Sequence, residues 1–186
     1  MMTEQSSDLP FIVFGMGCFW GAEKRLSEIL GVADVESGYA GGETQNATYQ
    51  EVLGLEKALK MGLAEQRNHA EVIKVTYHPE QVSLETLLAH FWENHNPTQG
   101  DRQGNDVGSN YRSAIYYRTE AEKQLAHASR TLYQQALQAQ GFGRITTEIA
   151  ELRNYSRAEE YHQDYLQKNP AGYCGLGGTG VRYPEK

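Results

Sequence analysis

Apolar residues fall into short runs along this 186-residue chain, and their period switches between two and roughly three to four. Phe11–Gly17 is one apolar run of strand length and predicts a buried strand. From Cys18 to Leu30, Phe19, Ala22, Leu26 and Ile29 recur on one helical face, and Gly31 supplies the stop. Val32–Tyr39 predicts a second strand that runs into the Gly41-Gly42 turn, and Gln45–Tyr49 reads as loop. Leu53–Gln66 has helical composition, weakened by Gly54 and Gly62. Glu71–Tyr77 alternates: Ile73, Val75 and Tyr77 share one face, Lys74 and Thr76 the other, and Glu71 has the parity of the apolar face.

Ser83 caps a predicted helix reaching His95, with Leu84, Leu87, Leu88, Phe91 and Trp92 on its inner stripe and Pro97 just beyond. Thr98–Gly108 is a polar, glycine-rich loop, and Arg112–Arg118 reads as a strand. Thr119 and Glu122 form a capping box for a long helix to Gln140. Ile145–Leu152 predicts a further strand and Ala158–Leu166 a short helix. Strand and helix patterns alternate as β-α-β and again β-α-β. The expected fold is α+β: a two-layer sandwich with a mixed sheet, a ferredoxin-like core and a long, irregular, Gly-rich C-terminal tail. Length points to one catalytic domain over 1–186, with 1–9 as a flexible N-terminus and 170–186 as a mobile tail carrying the second cysteine.

Charge and cysteine usage narrow the function. The net charge of −7 argues against a nucleic-acid partner, which needs a basic face. The polar N-terminus lacks a signal-peptide pattern, and no apolar run approaches membrane-span length, so the chain reads as cytoplasmic with no membrane partner. Two cysteines, at 18 and 174, form neither a C-x-x-C pair nor a disulfide framework, and the six histidines show no metal-ligand spacing, so no metal is expected.

Gly17-Cys18-Phe19-Trp20-Gly21 places one cysteine at a helix start, where the macrodipole favours a thiolate. Position alone equally fits a buried structural thiol, and aromatics at a helix start, as Phe19 and Trp20 are, are more often core. Cys174, in a segment with Gly172, Gly175, Gly177, Gly178 and Gly180, is either incidental or a resolving thiol that swings onto an oxidised partner. Glu71 is either a strand-end residue turned to water or a desolvated acid that holds its proton near neutrality. Tyr49 and Tyr111 lie beside loops from which a phenol can reach a cleft, and Asp106 sits in the turn Gly104–Gly108. A helix-start cysteine and a tail cysteine together suggest a redox pair, which a thiol peroxidase or general disulfide reductase would also use.

The ordered set GCFWG, Gly38–Gly42, Asn46–Tyr49, His69-Ala70-Glu71, Phe91–Pro97, Gln103–Asp106, Tyr111–Ser113, Thr147–Ile149 and Lys168–Gly175 closely resembles the A-type peptide-methionine (S)-S-oxide reductases (the MsrA family) over most of the chain. The resemblance implies that Cys18 attacks the sulfoxide sulfur while Phe19 and Trp20 wall in its methyl. It implies that Glu71, with Tyr49 and Tyr111, engages the oxygen, and that Asp106 orients this group. Methionine leaves, Cys18 becomes a sulfenic acid, Cys174 condenses with it, and thioredoxin (dithiothreitol in vitro) reduces the disulfide. No bound cofactor is implied, and the protein is read as a monomer. Two departures stand out. Many members carry a further tail cysteine where this chain has Arg182. The short loop usual between the residues matching Tyr49 and Glu71 is replaced by the longer Leu53–Asn68, with Arg67-Asn68 where Thr-Gly is typical. That segment is expected to be a surface excursion.

Overall fold

The computed structural model describes residues 9–172 and 177–184. Four strands make the centre: β1 (Phe11–Met16), β2 (Val32–Ala40), β3 (Ala70–Tyr77) and, later in the chain, β6 (Ser113–Tyr117). They lie in the order β6-β1-β3-β2, each antiparallel to its neighbours, which is the ferredoxin-like arrangement. Two outer strands extend the sheet: β7 (Glu148–Glu151), parallel to β6, and β8 (Ser156–Arg157), antiparallel to β2. The sheet is therefore mixed, as expected.

Helices α1 (Phe19–Ser27), α3 (Leu84–Glu93) and α4 (Glu120–Ala139) bury their apolar stripes on one face of the sheet. Phe14 and Phe91 stack there at 4.6 Å, and the Trp92 indole N–H is satisfied by Ser129 Oγ at 2.9 Å. The opposite face carries a smaller cluster of Val13, Ala40, Ala70, Val72, Ala114 and Tyr116, covered by Phe11, Leu152 and Tyr155. The capping boxes act where the sequence places them: Thr119 and Glu122 start α4, and Thr48 and Glu51 start α2 (Tyr49–Lys60).

Several elements differ from the expectation. α2 begins four residues before Leu53, because the Thr48-Glu51 box claims Tyr49 as its first helical residue; it ends at Lys60, ahead of Gly62 at φ +75°. Inside Thr98–Gly108, β4 (Arg102–Gln103) and β5 (Asp106–Val107) pair as a small hairpin. Residues 145–147 stay outside the ladder, with Ile145 N–H bonded to Gln134 and Thr146 N–H to Pro97. In place of one helix over Ala158–Leu166 there is a 3₁₀ turn, Glu160–His162, followed by α5 (Tyr165–Lys168). Glycine content predicts a free tail, yet residues 177–184 are tethered to the body. Tyr133 donates its hydroxyl proton to Val181 O at 2.8 Å, and Tyr183 N–H reaches Glu93 Oε2 at 2.6 Å.

The antiparallel order decides where chemistry can gather. β1 ends, β3 begins, β2 ends and β6 begins at the same edge of the sheet, since Met16 lies opposite Ser113 and Tyr39 opposite Glu71. The loops leaving and entering these four strand ends carry Cys18, Tyr49, Asp106 and Tyr111.

Candidate active site

At that edge a cavity of about 80 Å³ is lined by Cys18, Phe19, Trp20, Tyr49, Glu71, Asp106 and Tyr111. Seven of the eight residues singled out from sequence therefore share one pocket; the eighth, Cys174, lies outside the described residues. A larger surface groove of about 630 Å³ runs past Arg25, Leu30 and His90, but holds neither a thiol nor a buried carboxyl. Among the described residues, no group of three His, Cys, Asp or Glu side chains is placed to hold a metal ion, and no helix is long and apolar enough to cross a membrane.

Gly17, at φ +99°, turns the chain out of β1; a Cβ there would come within 2.7 Å of Gln103. Cys18 follows as the N-cap of α1, with its side chain free of capping duty. The N–H groups of Trp20 and Gly21 act on the sulfur, as expected at a helix start. They do not prevail. Burial first, then the Glu71 carboxylate, push the thiol up to about 12. The expectation of a low-pKa thiol is thus corrected: the open pocket holds Cys18 as a thiol, because two helix amides offset only part of the lost hydration.

Glu71 is 2% exposed on the helical side of β3, as its parity indicates. Its Oε1 accepts the Phe19 N–H at 3.3 Å. Burial, reinforced by the Asp106 charge, raises its pKa to about 8 against the pull of Phe19 N–H and the Asn110 amide. It is therefore largely protonated at pH 7. Burial likewise raises Tyr49 and Tyr111, with the Glu71 charge next in effect on both. The pocket thus presents a carboxylic acid, two phenols and a thiol, all holding their protons. Such a lining suits a neutral ligand with a strongly accepting oxygen, next to a sulfur.

One wall is aromatic. Phe19 is buried against Tyr39 and His162, and Trp20 stacks on Tyr165 at 3.8 Å with the rings 11° from parallel. The Trp20 indole N–H donates to His162 Nδ1 at 3.1 Å, which fixes the indole's tilt over the cavity. His162 also meets the Tyr49 ring edge-on at 4.6 Å. Glu159 accepts the Tyr39 hydroxyl and the Tyr49 N–H, each at 2.8 Å. Asn110, His162, Tyr165 and Glu159 were not read from the sequence. Three come from a stretch expected to be an ordinary short helix, and no periodicity signals that its turn packs against residues more than a hundred positions earlier.

The model of the family described as peptide methionine sulfoxide reductase matches residues 11–180. This chain belongs to that family. The reductase MsrA 1 of Synechocystis sp. is 55% identical over 172 residues, covering 92% of this chain and 73% of the relative. Methionine sulfoxide reductase A of Corynebacterium diphtheriae has a similar structure, with a TM-score of 0.78 at 43% identity over 94% of this chain and 82% of that one. Mxr1 of Saccharomyces cerevisiae, solved in complex with Trx2, shares the fold at a TM-score of 0.55 and 23% identity over 88% of this chain and 89% of that one. The chain is accordingly an oxidoreductase that reduces methionine sulfoxide with thiol chemistry.

Proposed function

We propose that the cavity reduces the S epimer of methionine sulfoxide, free or in proteins, with Cys18 as nucleophile and Glu71 as proton relay. The substrate methyl lies against Phe19 and Trp20, and its oxygen accepts from Glu71, Tyr49 and Tyr111. Protonated Glu71 gives its proton to the oxygen as Cys18 Sγ attacks the sulfur, and the thiol proton passes to Glu71. The attack leaves Cys18 Sγ bonded to the substrate sulfur, which carries the hydroxyl; that S–S bond and the substrate S–O bond then break as the hydroxyl bonds to Cys18 Sγ, so methionine leaves and Cys18 becomes S–OH. The substrate sulfur gains two electrons and Cys18 loses two, with no net proton exchanged. The Cys174 thiol then displaces water from the sulfenic acid, forming a disulfide that a thioredoxin-type dithiol reduces.

Asp106 orients the acid through its charge, which favours the protonated form of Glu71. The carrying observation is that a nearly sealed carboxyl with a pKa of about 8 shares an 80 Å³ cavity with the thiol. A thiol near 12 need not ionise in advance if its proton has a carboxylate to receive it within the reaction. The chain is read as one domain, monomeric and cytosolic.

The test is a quenched assay counting methionine per enzyme, with each epimer of a sulfoxide peptide and either dithiothreitol or thioredoxin. Only the S epimer should turn over. Cys174→Ser should release about one methionine per enzyme and stall as a sulfenic acid that dimedone traps. Sustained turnover of that variant with thioredoxin removes Cys174 from the relay.

A further inference from the structure

The Leu53–Asn68 segment contains Glu56, on the same helical face as Val52, the buried anchor of α2. Its Oε1 accepts the Ser109 hydroxyl at 2.6 Å and its Oε2 the Ser109 N–H at 3.0 Å. Oε1 also accepts the Asn68 amide at 3.2 Å, and the same amide nitrogen donates to Val52 O at 3.0 Å. Asn68 Oδ1 in turn accepts His69 N–H at 2.8 Å. One carboxylate thus joins α2, the entry to β3 and the 3₁₀ turn Ser109–Tyr111. One helical turn on, Lys60 Nζ approaches Val107 O at 3.4 Å. Gly108 lets the turn come this close: at φ +144°, a Cβ there would lie 2.5 Å from Asn110 Oδ1 and 3.2 Å from Glu56 Oε2.

We propose that Glu56 is a positioning residue for the acid side of the pocket, so that the Leu53–Asn68 segment is an outer wall of the active site. Residues 109–111 deliver the Asn110 amide beside Glu71 and the Tyr111 phenol to the cavity. The Asn110 amide is buried and eases Glu71's ionisation, yet neither of its polar atoms reaches full hydrogen-bond geometry among the described residues. Such a marginal contact is sensitive to small shifts of the turn that carries it. Burial pushes the Glu56 carboxyl up, but the Ser109 hydroxyl and N–H and the Asn68 amide outweigh it and hold the group below its ordinary value. Glu56 is therefore a fixed anion across the range in which Glu71 titrates. Asn68, at the far end of the same segment, thus meets Glu56 at that carboxylate.

This inference rests on the reading of Glu71 and Tyr111 given above, and the experiment separates the two. First-turnover methionine formation is measured against substrate concentration and pH. Glu56→Ala should lower the maximal first-turnover rate by roughly tenfold, with little change in half-saturation, and should move the alkaline limb upward as Glu71 loses the Asn110 contact. Glu56→Gln, which can still accept from Ser109, should recover most of the rate. A wild-type rate and limb in Glu56→Ala overturn the proposal. If that variant does not fold, Ser109→Ala decides, since it keeps the backbone bond and removes the hydroxyl. It should move rate and limb in the same direction by less, and wild-type values there overturn the proposal. If Glu71→Gln is also unimpaired, the reading of the site falls as well; if only the Glu56 and Ser109 variants are unimpaired, this inference alone falls.

Discussion

Two glutamates near the pocket, Glu71 inside it and Glu56 behind it, have opposite fates. Both lose hydration, and for both burial is the largest influence. Glu71 is offered one N–H at 3.3 Å and a loosely placed amide, beside the Asp106 charge, and keeps its proton up to about pH 8. Glu56 receives three donors at 2.6–3.2 Å and stays ionised. Glu71 is also the more deeply buried of the two, so burial depth and the number and geometry of the facing donors together set each carboxyl's charge. The fold thus leaves one protonated and the other ionised.

The most severe disruption of this contrast removes the reacting groups. Cys18→Ser should abolish methionine formation at any pH, and measurable first-turnover product in it would reassign the nucleophile. Glu71→Gln should slow the first turnover by about 10²- to 10⁴-fold, the usual worth of a positioned proton donor. Its substrate binding should change far less, because the loss falls on the transition state. An unchanged rate would shift the acid to Tyr49 or Tyr111.

pH sharpens the comparison. The wild-type first-turnover rate should fall as pH rises through about 8, where Glu71 gives up its proton. For stability, the folded-state pKa of Glu71 lies above its unfolded value near 4.5. Between those values the folded protein binds more protons than the unfolded chain, so this group's contribution to unfolding free energy declines as pH rises from about 4.5 to 8. Denaturant midpoints across that range should show a smaller decline in Glu71→Gln. Glu56 has the opposite sign: its stabilisation is present above the ordinary carboxylate pKa and is lost as pH falls through its depressed value.

The smallest expected effect is at the aromatic wall. Trp20→Phe keeps an apolar ring but removes the bond to His162 and part of the stack on Tyr165. A loss of about 1 kcal/mol, or roughly fivefold, should appear mainly as weaker substrate saturation. A larger effect on the limiting rate would mean that the indole also places the reacting sulfur.

Much of this was legible in the chain. The alternation through β3 put Glu71 on the helical side, and the Thr119 and Ser83 caps started α4 and α3 where the helices begin. The start of α2 is less legible: Thr48 and Glu51 carry the same box, but Gln45–Tyr49 also has loop composition. The state of Cys18 is not legible there: a helix start is visible in sequence, whereas the desolvation opposing it comes from residues at 49, 71 and 111 folding around the sulfur. His162, Tyr165 and Glu159 left no local sign, since each acts on partners over a hundred residues away.

The amino-acid order by itself determined the elements, the side of the strand from which Glu71 points and the ordered motifs of a sulfoxide reductase, because caps and periodicity act over a few residues. Tertiary structure alone decided which groups share the cavity, that Cys18 rests as a thiol while Glu71 holds its proton, and that the Leu53–Asn68 segment reaches the turn bearing Tyr111. Hydration and donor geometry depend on what packs around a group, and that is set only when distant strand ends meet at one edge of the sheet.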